Sequence, residues 1–221
     1  MTRAFILLTF LTSSCALSAQ TNDAGAWMNF TLEKDLRKKF TTGIELETRL
    51  NENLSEARSI FSEVFLSREW SDEFSTTITY RAQARRRLEN DYEGRDRLAL
   101  DLKYKIKLGE VGVQYRFRAQ GLLGILGTES VLSSALGTRH KIKLDYDLNK
   151  KWEVSLAGEG FYSSETGVGL THTDIRLKIG GQYKIKKRNY LSLGYLVQRE
   201  YNTNNPFTNY NLAVSYKLMI K

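Results

Sequence analysis

The chain has 221 residues, 26% of them charged, and a formal charge of +8. That length fits one domain. Its bases alternate with apolar residues instead of clustering in a helix or beside stacking aromatics, which argues against nucleic acid as a partner. The only cysteine, Cys15, falls in the first twenty residues.

Residues 1–19 are predicted to be a signal peptide: Arg3 supplies the positive start, residues 4–11 the apolar core, and Leu17-Ser18-Ala19 a small-residue cleavage site before Gln20. A lipoprotein cut before Cys15 is the competing expectation, but Thr12-Ser13-Ser14 lacks the bulky apolar residue such a site wants. Removal of the segment leaves no cysteine for disulfide, metal-thiolate or nucleophile chemistry. No later run approaches the ~18 consecutive apolar residues of a spanning helix, so residues 20–221, if membrane-embedded, must form a closed barrel.

The first strand is predicted over 27–34, with Met28, Phe30 and Leu32 on one side. Residues 40–50 alternate cleanly, Ile44 and Leu46 opposing Glu45, Glu47 and Arg49. Residues 58–70 are strand-like but apolar on both sides (Ile60, Val64 and Leu66 against Phe61 and Phe65), which leaves their facing open. Residues 74–87 set Phe74, Ile78 and Tyr80 against Arg81, Gln83, Arg85 and Arg87, and 88–96 reads as a charged loop.

The pattern is clearest over 97–120. Leu98, Leu100, Leu102, Tyr104 and Ile106 oppose Arg97, Asp101, Lys103, Lys105 and Lys107; beyond Leu108-Gly109-Glu110, Val111, Val113, Tyr115 and Phe117 oppose Gln114, Arg116 and Arg118. A side-chain period of two means extended chain, and two such runs joined at glycine form a hairpin. Each arm runs about ten residues, the length a tilted strand needs to cross a bilayer.

After the long 121–136 connection, 137–148 sets Ile142, Leu144 and Tyr146 against Arg139, Lys141, Lys143, Asp145 and Asp147. In 152–162, Glu153, Ser155 and Glu159 face inward. Residues 173–185 (Asp174, Arg176 and Lys178 inward) and 190–201 form another hairpin, and the last strand carries Tyr210, Leu212, Val214, Tyr216 and Leu218.

Tight turns near 35, 72, 109, 150 and 187 alternate with longer connections near 54, 92, 128, 167 and 205, the signature of an outer-membrane barrel. The expected fold is therefore all-β: an antiparallel up-and-down transmembrane barrel of 10–12 strands, lipid outside and charge inside. Eleven strands are read, whereas bacterial single-chain barrels have an even number. Either 27–34 stands beside ten strands or a twelfth is hidden before Trp27 or within 121–136.

Trp27, the Glu45-Leu-Glu-Thr-Arg49 strand, Tyr80-Arg81, Arg95-Asp-Arg-Leu98 and Tyr115-Arg116-Phe117-Arg118 follow in an order that resembles domain-of-unknown-function family 2490. The resemblance implies an outer-membrane β-barrel of a Gram-negative bacterium and supplies no catalytic residues.

Candidate sites follow from the inward charges. Arg81, Arg85, Arg87, Arg97, Lys103, Lys105, Lys107, Arg116, Arg118, Arg139, Lys141 and Lys143 make a basic wall from four consecutive strands; Glu45, Glu47, Asp101, Asp145, Glu153 and Glu159 are acidic partners. One reading is a narrow pore favouring small anionic solutes. The other is a filled lumen in which the same bases pair with those acids, since small barrels are just wide enough for side chains. A lipid-modifying hydrolase using His172 with Ser163, Ser164 and Glu165 is a further alternative, and a soluble periplasmic ligand-binding barrel another. No phosphate loop, zinc spacing or calcium loop is present, and no cofactor is expected. The expected partners are outer-membrane lipid and small anionic solutes, and the expected state is a monomer.

Overall fold

The computed structural model describes residues 22–36, 39–86, 91–123, 136–164, 171–203 and 206–220. The expected signal segment, Arg87, Glu165 and most of the 121–136 connection lie outside the described residues.

Eleven strands are described: β1 Asn22–Asp35, β2 Phe40–Asn51, β3 Glu56–Glu69, β4 Phe74–Arg86, β5 Tyr92–Leu108, β6 Val111–Leu122, β7 Leu136–Asp147, β8 Trp152–Ser164, β9 Thr171–Lys186, β10 Asn189–Glu200 and β11 Thr208–Ile220. Consecutive strands pair antiparallel around one closed barrel. The closure departs from the sequence expectation of a wholly antiparallel barrel. β1 pairs β11 in parallel, from Asn22↔Thr208 to Lys34↔Ile220, and pairs β2 antiparallel from Ala26↔Leu50 to Asp35↔Thr41. It is therefore a full staff of the wall and not a segment beside ten strands. An odd count forces one parallel pair, because the first and last staves run the same way.

Residues 92–96, expected in a loop, are the start of β5. Tyr92 pairs with Arg86 and Arg95 with Gln83, so the ladder continues toward the mouth. There the strand no longer needs an apolar face, and periodicity loses its signal. At the other end, Leu108 pairs Val111, leaving the two-residue turn Gly109-Glu110. Gly109 has φ +63°, a left-handed conformation that glycine adopts without steric cost.

The wall is inside out relative to a water-soluble protein. Leu98 and Leu100 are each 44% exposed and Ile179 61%, whereas Thr79, Asp96 and Asp101 are buried. Strands touch only their ladder neighbours among the described residues, so no second sheet or helix covers Leu98, Leu100 or Leu102. β3 settles its open facing the same way. Ile60, Val64 and Leu66 are exposed, and Phe61, 3% exposed, points inward with Glu63.

The five connections 36–39, 70–73, 109–110, 148–151 and 187–188 define a turn end, and the longer ones a loop end. The loop-end junction is tied by Asp23, whose carboxylate accepts hydrogen bonds from the backbone amides of Glu52 (3.0 Å) and Asn53 (2.9 Å).

Candidate functional site: a lumen lined by arginines

Strand alternation sends one residue in two into the barrel, and among the described residues these side chains line three cavities along its interior. A loop-end cavity of about 270 Å³ is lined by Arg49, Arg58, Arg81, Arg85, Arg97, Arg139 and Arg176, with Asp174 and Glu200 the only carboxylates among the described residues. A middle cavity of about 310 Å³ adds Glu45, Glu47, Glu63, Glu159, Arg116, Arg118, Lys141 and Lys178. A turn-end cavity of about 400 Å³ is lined by hydroxyls (Thr31, Thr41, Ser67, Ser75, Thr77) and by Glu33, Glu45, Glu63, Glu69 and Asp101 against Lys103, Arg116 and Arg118.

The loop-end and middle cavities share Trp27, Arg49, Arg81, Arg139 and Arg176. These form a collar in which guanidiniums lie over lumen-facing rings. Arg49 sits 3.9 Å and Arg176 4.7 Å from the Trp27 centroid; Arg81 is 3.6 Å from Phe61; Arg139 and Arg176 are each 4.6 Å from Phe161. Such contacts contribute roughly 0.5–2 kcal/mol each, and they fix an arginine in place without consuming its N–H donors.

Carboxylates neutralise part of the wall. Arg118 forks onto Asp101 through Nε (2.5 Å) and Nη2 (2.8 Å). Arg81 meets Glu63 at 2.6 Å, Arg116 meets Glu159 at 2.6 Å, Arg176 reaches Glu159 at 3.4 Å and Arg49 meets Glu47 at 2.5 Å. Lys143 pairs Glu153 at 2.9 Å and Asp145 at 3.3 Å. Buried charges demand such partners.

Among the expected basic residues, Arg81, Arg116, Arg118 and Lys143 thus form ion pairs. Arg85, Arg97, Lys103, Arg139 and Lys141 line cavities and form none among the described residues. Lys105 is exposed and lines none of the three cavities, and Lys107 reaches the turn rim, where its Nζ meets Asp147 at 2.6 Å. Of the expected acids, Glu47, Asp101, Asp145, Glu153 and Glu159 have basic partners; Glu45 lines the lumen without an ion pair among the described residues. Glu63, Arg49, Arg176 and Lys178 join the site although the sequence reading placed none of them in its wall. Continued alternation through β9 pointed Arg176 and Lys178 inward; the three aromatic platforms gave no such signal.

His172, the residue on which a hydrolase reading turned, lies on the outer face, its ring 5.1 Å from Tyr162 and 5.1 Å from Tyr201. Tyr162 also meets His140, which shares a 2.7 Å hydrogen bond with the Tyr115 hydroxyl. By alternation Ser163 faces the opposite side of β8 from Tyr162. Among the described residues no group of three or more His, Cys, Asp or Glu is placed to hold a metal ion.

The family described as "Protein of unknown function (DUF2490)" matches residues 24–211. The chain belongs to that family. All eleven strands contribute to the matched span, and so do the collar residues from Trp27 to Arg176. A solved structure described as a KdgM porin aligns with a TM-score of 0.48 at 15% sequence identity, over 79% of this chain and 88% of that one. No curated protein matches the chain.

Proposed function

We propose that this family member is an exported outer-membrane barrel whose lumen is a narrow, non-enzymatic passage favouring anions. The observation that carries the reading is the closed, inside-out wall: an apolar exterior matched to hydrocarbon encloses a lumen in which guanidinium and ammonium groups outnumber carboxylates. A barrel leaves no backbone edge in lipid, and a cationic lining raises the local concentration of anions. The basic wall is Arg81, Arg85, Lys103, Arg116, Arg118, Arg139 and Lys141, extended by Arg49, Arg97, Arg176 and Lys178. Outer-membrane lipid and small anionic solutes are its partners in this reading.

Planar-bilayer recording of the refolded chain across a potassium chloride gradient tests it. The expected outcome is a small conductance with a reversal potential on the anion-selective side. A silent bilayer, or selectivity for cations, overturns the proposal.

A further inference from the structure

We infer that the loop-end cavity holds a binding site for a dianionic oxyanion, built on Arg97 and Arg139. The assignment deepens the anion-passage reading and rests on it for the route by which the ligand arrives.

The local charge is unbalanced in a specific way. Three arginines of this cavity are already engaged: Arg49 with Glu47, Arg81 with Glu63 and Arg176 with Glu159, a carboxylate it shares with Arg116. The other four, Arg58, Arg85, Arg97 and Arg139, form no ion pair among the described residues. Among the described lining residues they face two carboxylates, Asp174 and Glu200, so four positive charges meet two negative ones and an excess of at least two remains. A ligand of charge −2 closes that difference.

The donors are also in place and unused. Arg97 Nη2 and Arg139 Nε are shielded from solvent and have no hydrogen-bond partner. The Phe161 ring under Arg139, 4.6 Å away, holds that guanidinium from its face and leaves the donors on its edge free. Across the sheet Arg97 is paired in register with Arg81 and Arg118 with Arg139, so positive side chains are crowded along one wall. Folding has therefore already met the cost of gathering and desolvating these donors, and a ligand that satisfies them gains without further ordering. A guanidinium fork matches the paired oxygens of a carboxylate, phosphate or sulfate, and chloride offers no such geometry. Amides from Asn51, Gln83, Asn209 and Asn211 complete the cavity and suit a ligand with a polar body.

Isothermal titration calorimetry on the full chain in detergent, with sulfate, succinate and chloride as probes, tests the site. Sulfate or succinate is expected to bind, with chloride at least tenfold weaker; whichever dianion binds better names the oxyanion. The double variant Arg97→Gln/Arg139→Gln is expected to weaken that binding at least tenfold, while Lys150→Gln, in a turn at the far end, leaves it unchanged. Unaltered affinity in the double variant, or chloride binding as tightly as the dianions, overturns the site. Should the double variant fail to refold, Arg97→Lys keeps the charge and removes the fork. A several-fold loss is expected there, and none would overturn the proposal. Calorimetry needs no conductance: a silent bilayer with sulfate bound defeats the passage alone, and a conducting barrel that binds neither dianion defeats the site alone.

Discussion

The two ends of the lumen solve the problem of enclosed charge differently. At the turn end, Glu33, Glu45, Glu63, Glu69 and Asp101 face Lys103, Arg116 and Arg118, so carboxylates outnumber bases and each guanidinium has one within reach. At the loop end, among the described residues, seven arginines face two carboxylates, and the guanidiniums are steadied by rings of Trp27, Phe61 and Phe161 as well as by acids from the cavity below. The difference teaches that one wall pattern, base alternating with apolar residue, serves two ends. Ion pairing makes the turn end a structural girdle, and its shortage at the loop end leaves a field for a solute. In the proposed passage an anion entering at the loop end would meet the excess first.

The sharpest break in that comparison is Asp101→Ala. Asp101 is fully buried, takes a bidentate fork from Arg118 and lies 3.9 Å from Arg116. Its removal strands Arg118 without a counter-charge and leaves Arg116 with Glu159 alone. Stranding a buried charge costs about 3–5 kcal/mol, so urea unfolding from lipid vesicles should show a loss of that order. An unchanged midpoint would mean that the turn-end pairs are ornaments on a wall held by its backbone ladder alone.

Arg139→Gln probes the other end and should do far less to stability. Among the described residues Arg139 has no carboxylate partner and lies beside other cations, so its loss relieves repulsion while forfeiting the contact with Phe161. The two effects oppose, and the unfolding free energy should move by about 0.5 kcal/mol or less. A loss as large as that of Asp101→Ala would make the loop-end arginines structural and erase the distinction between the ends.

How much of this was legible in the sequence follows from what alternation encodes. A wall between two solvents writes its facing into every second residue, so Leu98-Leu100-Leu102 against Asp101-Lys103 placed β5 and its turn correctly. Where the lumen itself holds apolar rings, the rule fails: Phe61 and Phe65 left β3 ambiguous, and Phe61 proved to be the platform under Arg81. Where a strand runs beyond the apolar belt, the rule has nothing to read, and residues 92–96 are misread as a loop. Pairing depends on register between strands distant in sequence, as in Arg116 with Glu159, and no local pattern carries it. The parallel closure was hidden for the same reason. The count of eleven was readable, but which edge of β1 met β11 was not.

The smallest expected effect separates distance from environment. Lys107 and Asp147 meet at 2.6 Å, the same separation as Arg116 and Glu159, but on the turn rim, where their side chains are 56% and 34% exposed against 15% and 5% for the interior pair. Water and salt screen the rim pair in the folded barrel, and holding two long side chains together costs entropy, so the attraction is largely cancelled. Lys107→Ala should leave the urea midpoint unchanged at both low and high salt. A fall that persists at high salt would show the rim to be shielded from water, and the boundary between paired girdle and solvent would then lie further along the strands, beyond the Gly109 turn.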